Sequence, residues 1–220
     1  MEKKKVLILL SCLVFLFAKA PQAQTGEDVK IFLKKLEGAI GNMNTYRCVM
    51  TSENWKGRKH EYKVSRLQFK KPNLMRLDVL KGKKKGSTVV LNKEGKIRGK
   101  NSWGLRKTLK PTDKRLKNIR GYTFLNSSLL DKVERIKRHI LEKGFEAALE
   151  ETEWEGRPAY HLHIDYSDPD SPVTDEDIWF NKETYATLKN LKYEGETKVT
   201  DVTWQDFEIN IPLDDKLFVQ

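Results

Sequence analysis

The chain has 220 residues, with 42 Lys or Arg against 31 Asp or Glu, a formal net charge of +11 and two cysteines. Removal of an N-terminal leader would leave about 197 residues, the size of one ordinary domain with enough length for a real core. Only Cys48 lies beyond that leader, so an internal disulfide is excluded, and no later segment is apolar enough to cross a membrane.

Met1 to Lys5 supplies three lysines, Val6 to Phe17 is an unbroken apolar run, and Ala18-Lys19-Ala20-Pro21-Gln22-Ala23 provides small residues for a peptidase. These are the three parts of an export signal, and the run is too short for a permanent span. Pro21 disfavours a cut after Ala20, which leaves Ala23, so residues 1–23 are read as the signal and 24–220 as a single exported domain. Leu9-Leu10-Ser11-Cys12 is similar to a lipoprotein acylation site. The apolar core continues through Leu13 to Phe17, however, and Cys12 is read as part of it.

Charge is placed unevenly. Residues 56–120 hold 23 Lys or Arg against four acids, Glu61, Asp78, Glu94 and Asp113, whereas residues 121–220 hold 11 basic against 22 acidic residues. One reading is an edge that faces an anionic partner, such as a membrane surface; the other is mutual neutralisation across neighbouring strands. Nucleic acid would demand an uptake or nuclease role that no other feature supports.

Beyond the leader, Glu27 to Met43 predicts an amphipathic helix, with Val29, Phe32, Leu36, Ala39, Ile40 and Met43 at steps of three and four. Alternation then predicts strands over Thr45 to Asn54, Glu61 to Lys70, Leu74 to Leu80, Ser87 to Leu91 and Lys96 to Lys100, with Lys93-Glu94-Gly95 as a hairpin turn. The basic turn Lys81 to Gly86 is either a solvated tip or a contact for phosphate or lipid headgroups. Asn101 to Phe124 reads as a long polar connection, a class that often carries function. A second helix follows, capped by Asn126 or Ser127 with Ser128-x-x-Asp131 as a capping box. Its stripe is Leu129, Leu130, Val133, Ile136, Ile140 and Leu141, and Gly144 ends it. Strands return over Ala147 to Trp154, Ala159 to Tyr166, Glu176 to Asn181, Thr187 to Tyr193 and Lys198 to Ile209. The fold class is therefore α+β, with one large curved antiparallel sheet and helices over its concave face.

No nucleophile turn, glycine-rich phosphate loop or Gly-x-Ser-x-Gly occurs, so no catalytic residue is assigned and no enzymatic activity or cofactor is expected. His161-x-His163 puts two imidazoles on one strand face, as a metal pair requires, but no matching ligands are readable elsewhere and no metal site is assigned. Two helices are too few for a sheet of eight or more strands. Either the sheet closes on itself or a cavity remains, lined by Leu67, Phe69, Met75, Leu77, Val79, Val89 and Leu91. The alternative is that helix and loop side chains fill the space.

The order of elements, with Phe69-Lys70-Lys71-Pro72-Asn73-Leu74-Met75-Arg76 between early strands, Val89 to Lys96, and the close Phe207 to Phe218, resembles the LolA/LolB lipoprotein-carrier superfamily. The resemblance implies an unclosed β-barrel whose helices cover an apolar cavity for acyl chains. It implies a monomeric periplasmic carrier of lipid or lipoprotein toward the outer membrane of a Gram-negative envelope. Lys71 stands where the family has an Arg that bonds to the lid helices, which would make Lys71, Leu129, Leu130 and Val133 lid residues here. Envelope-stress sensors of the same fold are the alternative function. They usually carry a further C-terminal domain, so the chain's end at Gln220 favours the carrier.

Overall fold

The computed structural model describes residues 24–168 and 171–219. The leader and Cys12 lie outside the described residues. Twelve strands form one antiparallel sheet: β1 (Gln24–Thr25), β2 (Thr45–Lys56), β3 (Lys59–Lys70), β4 (Leu74–Gly82), β5 (Thr88–Leu91), β6 (Ile97–Lys100), β7 (Arg106–Leu109), β8 (Ala147–Trp154), β9 (Arg157–Asp165), β10 (Asp175–Asn181), β11 (Thr187–Glu194) and β12 (Thr197–Ile209). Their order is β1-β8-β9-β10-β11-β12-β2-β3-β4-β5-β6-β7, a sheet with two free edges and no closure. The fold is α+β with an open curved sheet.

The sheet has two meandering wings joined where β12 pairs with β2. One wing, β2 to β7, carries the basic segment; the other, β8 to β12, carries most of the acidic one. Ion pairs that link residues 56–120 to residues 121–220 include Lys70–Asp215 and Arg120–Glu194. Within the basic segment, Lys63 and Lys83 pair with Glu61, Arg76 with Asp78 and Arg115 with Asp113.

Pairing register follows from the alternation. Leu67 lies opposite Leu77, which lies opposite Val89; Phe69 lies opposite Met75, which lies opposite Leu91. These two rows form the inner face of the basic wing. A further cluster packs on the reverse face, where the C-terminal residues Leu213 and Phe218 cover Leu74 and Val90.

Helix α1 (Glu27–Gly41) buries Val29, Phe32, Leu33, Leu36 and Ile40. Helix α2 (Leu129–Lys137) buries Leu129, Val133 and Ile136 and continues as a wider π turn over Arg138–Glu142. Ser128, rather than Asn126 or Ser127, is its N-cap, with Oγ accepting from the Asp131 amide at 3.1 Å. The Leu129 amide, otherwise an orphan of the first turn, donates to the Tyr46 hydroxyl at 3.0 Å. Both helices join one core with Tyr46, Leu67, Phe69, Leu162, Ile164, Ile178 and Phe180. The rings of Tyr46 and Phe69 stack at 5.0 Å, and Phe32 meets Phe180 at 5.5 Å.

Neither helix extends over the outer strands of the basic wing. There Ile97, Leu109 and Leu116 form a separate cluster that contains no residue of α1 or α2. The connection expected to be irregular over Asn101 to Phe124 supplies β7 and then folds back through short turns at Lys114–Leu116 and Phe124–Asn126. Strand β7 was not legible because Arg-Lys-Thr-Leu has one apolar residue, too few to show alternation, and edge strands favour such charged residues.

Candidate ligand cavity beneath the 101–126 connection

Where the helices stop, the connection bridges the sheet and leaves a cavity of about 610 Å³. Its apolar lining comes from Leu77 and Val89 of one inner row, from Val79 further along the same strand as Leu77, and from Leu109, Leu116 and Phe124 of the outer wing and the connection. Seven cations also line it, Lys63, Lys84, Lys100, Arg106, Lys107, Arg115 and Lys117, and no carboxylate among the described residues does. An apolar interior with a cationic border suits a ligand with a hydrocarbon body and a negative group.

Several of the cations are fixed. Lys84, at the turn between β4 and β5, donates to the Arg115 carbonyl at 2.9 Å and so ties the basic turn to the connection. Burial, and then the nearby Lys63 charge, push its ammonium below the usual lysine range. Arg115 is held by Asp113, whose Oδ1 accepts from the guanidinium at 2.9 Å. Lys63 lies 3.0 Å from Glu61, and Lys83 bonds the same carboxylate at 2.9 Å. The turn expected as a solvated tip or a headgroup contact is therefore one border of the cavity.

A smaller cavity of about 320 Å³ adjoins the first, sharing Lys63, Leu77, Leu116 and Phe124 in its wall. It lies against α2 and the central strands and includes Lys132, Arg135, Lys192, Asn54 and Trp204. Beneath it is a buried charge network. Arg135 grips Glu176 with both terminal nitrogens, at 2.6 and 2.7 Å, and its Nη1 also donates to the Tyr166 hydroxyl at 2.9 Å. Burial would raise the Glu176 pKa, but Arg135 and Lys192 outweigh it and hold the carboxyl well below the usual range. Burial lowers the Lys192 pKa to about 8 despite Glu176 at 3.8 Å.

Of the residues expected to line the cavity, Leu77, Val79 and Val89 do so. Leu67, Phe69 and Met75 are instead packed into the central core, each at most 2% exposed, because α1 and α2 cover their end of the inner rows. Leu91 packs between that core and the outer cluster. Leu129 and Val133 are core residues of α2, and Leu130 is partly buried against the same core. Lys71 does not engage α2: its Nζ donates to the Gly41 carbonyl at the end of α1, an unsatisfied helix terminus close to it. The lid contact expected from the resemblance is thus replaced by a helix-end contact.

Sequence reasoning missed Leu109, Leu116 and Phe124, whose signal was isolated apolar residues in a polar connection. It also missed Lys132 and Arg135, three and six residues after Leu129 and so bordering the apolar stripe of α2. His161 and His163 lie on the outer face and share Asp177, with His161 bonding Glu150 as well at 2.8 Å. Burial lowers the His161 pKa, but the bonds to Asp177 and Glu150 outweigh it and raise it overall. No cluster suited to a metal ion occurs among the described residues.

No model of a protein family matches the sequence, and no curated protein is similar to it. Solved structures are similar. An uncharacterized conserved protein from Thermus thermophilus has a TM-score of 0.53 at 11% identity, with 87% of this chain and 93% of that one covered. A LolA superfamily protein from Nitrosomonas europaea has a TM-score of 0.41 at 9% identity, covering 87% and 97%. In the Pseudomonas aeruginosa MucA/MucB complex the matched chain has a TM-score of 0.46 at 14% identity, and the present chain spans 60% of its length. At 11% identity the likeness to the Thermus thermophilus protein is one of fold alone.

Proposed function

We propose that this protein is a periplasmic carrier that holds the acyl chain of a lipid or lipoprotein in the larger cavity and delivers it toward the outer membrane, without catalysing a reaction. The observation that supports this most is the union of an apolar interior, Leu77, Val79, Val89, Leu109, Leu116 and Phe124, with a border of seven cations and, among the described residues, no carboxylate. Each methylene withdrawn from water is worth about 0.8 kcal/mol, so a chain of ordinary lipid length would bind there without specific polar contacts.

The border also supports an anionic membrane surface as the place of loading. Trp103 is 88% exposed and Leu105 69% exposed at the turn between β6 and β7, beside Lys100, Arg106 and Lys107. Ser102 and Leu105 line the cavity mouth, so a bilayer that accepts this turn would meet the opening.

The test is gentle purification of the exported protein, mass spectrometry of extracted lipid, and titration with a fluorescent acyl probe. Wild type should bind the probe, and Val89→Glu should weaken binding because it puts a charge in the apolar interior that the chain would occupy. Absence of both co-purified lipid and probe binding would exclude the carrier, whereas specific capture of an envelope regulatory protein with the cavity empty would favour a sensor.

A further inference from the structure

Lys132 is a cation whose ammonium is buried without a hydrogen bond or ion pair among the described residues. It projects from α2 into the wall of the smaller cavity. Its close neighbour is the face of Trp204, with Nζ 3.8 Å from the ring centroid. Glu176, the nearby buried carboxylate, is already gripped by Arg135 and also bonded by Tyr166. Lys63, which shares this wall, has Glu61. The smaller cavity thus has four lining cations, Lys63, Lys132, Arg135 and Lys192, and again no lining carboxylate among the described residues.

We infer that the smaller cavity is a head-group site, where a carboxylate or phosphate on a single-chain amphiphile meets the Lys132 ammonium while its hydrocarbon chain lies in the larger cavity. The inference rests on the proposed acyl-chain function and adds the charge and orientation of the ligand. Two features beyond the unpaired lysine carry it. The cavities share Leu77, Leu116 and Phe124, so a chain leaving the head-group site passes along apolar side chains. The partners of the other polar groups around the smaller cavity also set Lys132 apart, since Lys63 has Glu61 and Lys192 lies 3.8 Å from Glu176. Asn118 bonds Asn54 at 3.1 Å, Asn190 bonds the Asp177 carbonyl at 3.2 Å, and Arg135 is committed to Glu176 and Tyr166.

The border cations of the larger cavity do not substitute for it. Lys100, Arg106 and Lys107 are partly or fully open to water, where a single charge contact contributes little and is screened by salt. A buried, desolvated ammonium gives a stronger and less salt-sensitive bond to an anion. Burial, followed by the neighbouring Arg135 charge, holds Lys132 well below the usual lysine range, so an arriving anion would also favour its protonated form.

The experiment is displacement of a fluorescent acyl probe by oleate, oleyl phosphate, oleyl alcohol and inorganic phosphate, on wild type, Lys132→Met and Lys132→Arg. Oleate or oleyl phosphate should bind wild type roughly tenfold or more tightly than oleyl alcohol. The Met variant should keep its affinity for the alcohol and lose the preference, while Arg should restore it. Thermal melts confirm that each variant is folded; Met replaces a buried charge by an apolar chain of similar length and should not lower the melting temperature. Which of the two anions is preferred separates a fatty acid from a phosphate head, and displacement by inorganic phosphate alone would mean a free-anion site and overturn the amphiphile. Equal binding of acid and alcohol to wild type, or a preference that survives in Lys132→Met, would overturn the head-group site while leaving the acyl cavity standing. If no oleyl compound binds at all, the acyl-chain function fails and the inference with it.

Discussion

Arg135 of α2 and Glu176 of β10 form a two-pronged ion pair inside the protein, with nitrogen–oxygen distances of 2.6 and 2.7 Å. Glu176 is 0% exposed, and the pair ties the helix that borders the smaller cavity to the acidic wing. Breaking such a pair from one side leaves a charge in a dry site. Glu176→Ala should therefore lower unfolding free energy by about 3–5 kcal/mol, whereas the double change Arg135→Met with Glu176→Leu should cost much less. Urea denaturation of the wild type and the two variants decides this; a double variant as unstable as the single one would mean that the pair acts through packing rather than charge.

His139 lies beside this network, with Nδ1 3.1 Å from the Tyr166 hydroxyl and its ring edge-on to Tyr166. Burial lowers its pKa from 6.5 to about 4, and the Arg135, Lys192 and Lys143 charges push the same way against Glu176. The unfolded chain takes up its proton near 6.5 but the folded chain does so only near 4. This contribution is thus intact above the unfolded pKa and is lost as pH falls through that window. His161 acts in the opposite sense, because its folded pKa is raised. Comparison of wild type with His139→Gln isolates the effect: stability should decline less steeply on acidification in the variant. Parallel curves of urea midpoint against pH would remove His139 from the acid response.

The inner rows of the basic wing separate core from cavity along two strands. Leu67 is buried at 1% beneath the helices, while Val89, two strands away in the same row, lines the larger cavity. Leu67→Ala should cost about 2–5 kcal/mol in unfolding free energy, as for other buried leucines. Val89→Ala should cost less in stability, because its side chain borders a space, yet should alter acyl-probe affinity. Equal destabilisation by both, with unchanged probe binding by Val89→Ala, would mean that the cavity is not the site.

That division explains how far the sequence could be read. Period-two alternation identifies Leu67, Phe69, Met75, Leu77, Val79, Val89 and Leu91 as inner-face residues, and the 3.6-residue stripe identifies both helices. Neither pattern says where along a strand the helix above it ends. That limit is set by the lengths of α1 and α2 and by long-range contacts such as Tyr46 with the Leu129 amide. The roof of the cavity was hidden for a related reason. Leu116 and Phe124 sit in a connection without periodicity, and their burial depends on strands that end earlier in the chain. Lys132 and Arg135 were hidden because a charge at the border of a helix stripe reads as solvated until its surroundings are known.

Lys71 offers a sharper case. The family resemblance implies a contact with the lid helices, yet its ammonium bonds the Gly41 carbonyl that α1 leaves open. Lys71→Leu should remove this cap and destabilise the protein by about 0.5–1.5 kcal/mol, with faster amide exchange at the end of α1. Lys71→Arg should largely preserve both. Exchange across residues 126–142 should be unchanged in either variant, and a rate change confined to that stretch would restore the lid role.

The turn between β6 and β7 gives the last prediction. Asn101 Oδ1 accepts from the Trp103 and Leu105 amides at 3.1 and 2.9 Å, which fixes the turn while both apolar side chains stay largely exposed, Leu105 at the cavity mouth. An exposed Trp and Leu among cations combine the two attractions of a bilayer interface, apolar insertion and headgroup charge. The protein should co-sediment with vesicles containing anionic phospholipid and much less with purely zwitterionic ones. High salt should weaken the interaction, because each basic residue near such a surface contributes about 1 kcal/mol that is screened beyond a Debye length. Trp103→Ser with Leu105→Ser should leave stability unchanged, since neither side chain is buried, but should reduce binding and slow the transfer of a fluorescent lipid from vesicle to protein. Undiminished vesicle binding by this double variant would show that charge alone docks the basic wing. Equal binding to neutral and anionic vesicles would argue against a role for the cations.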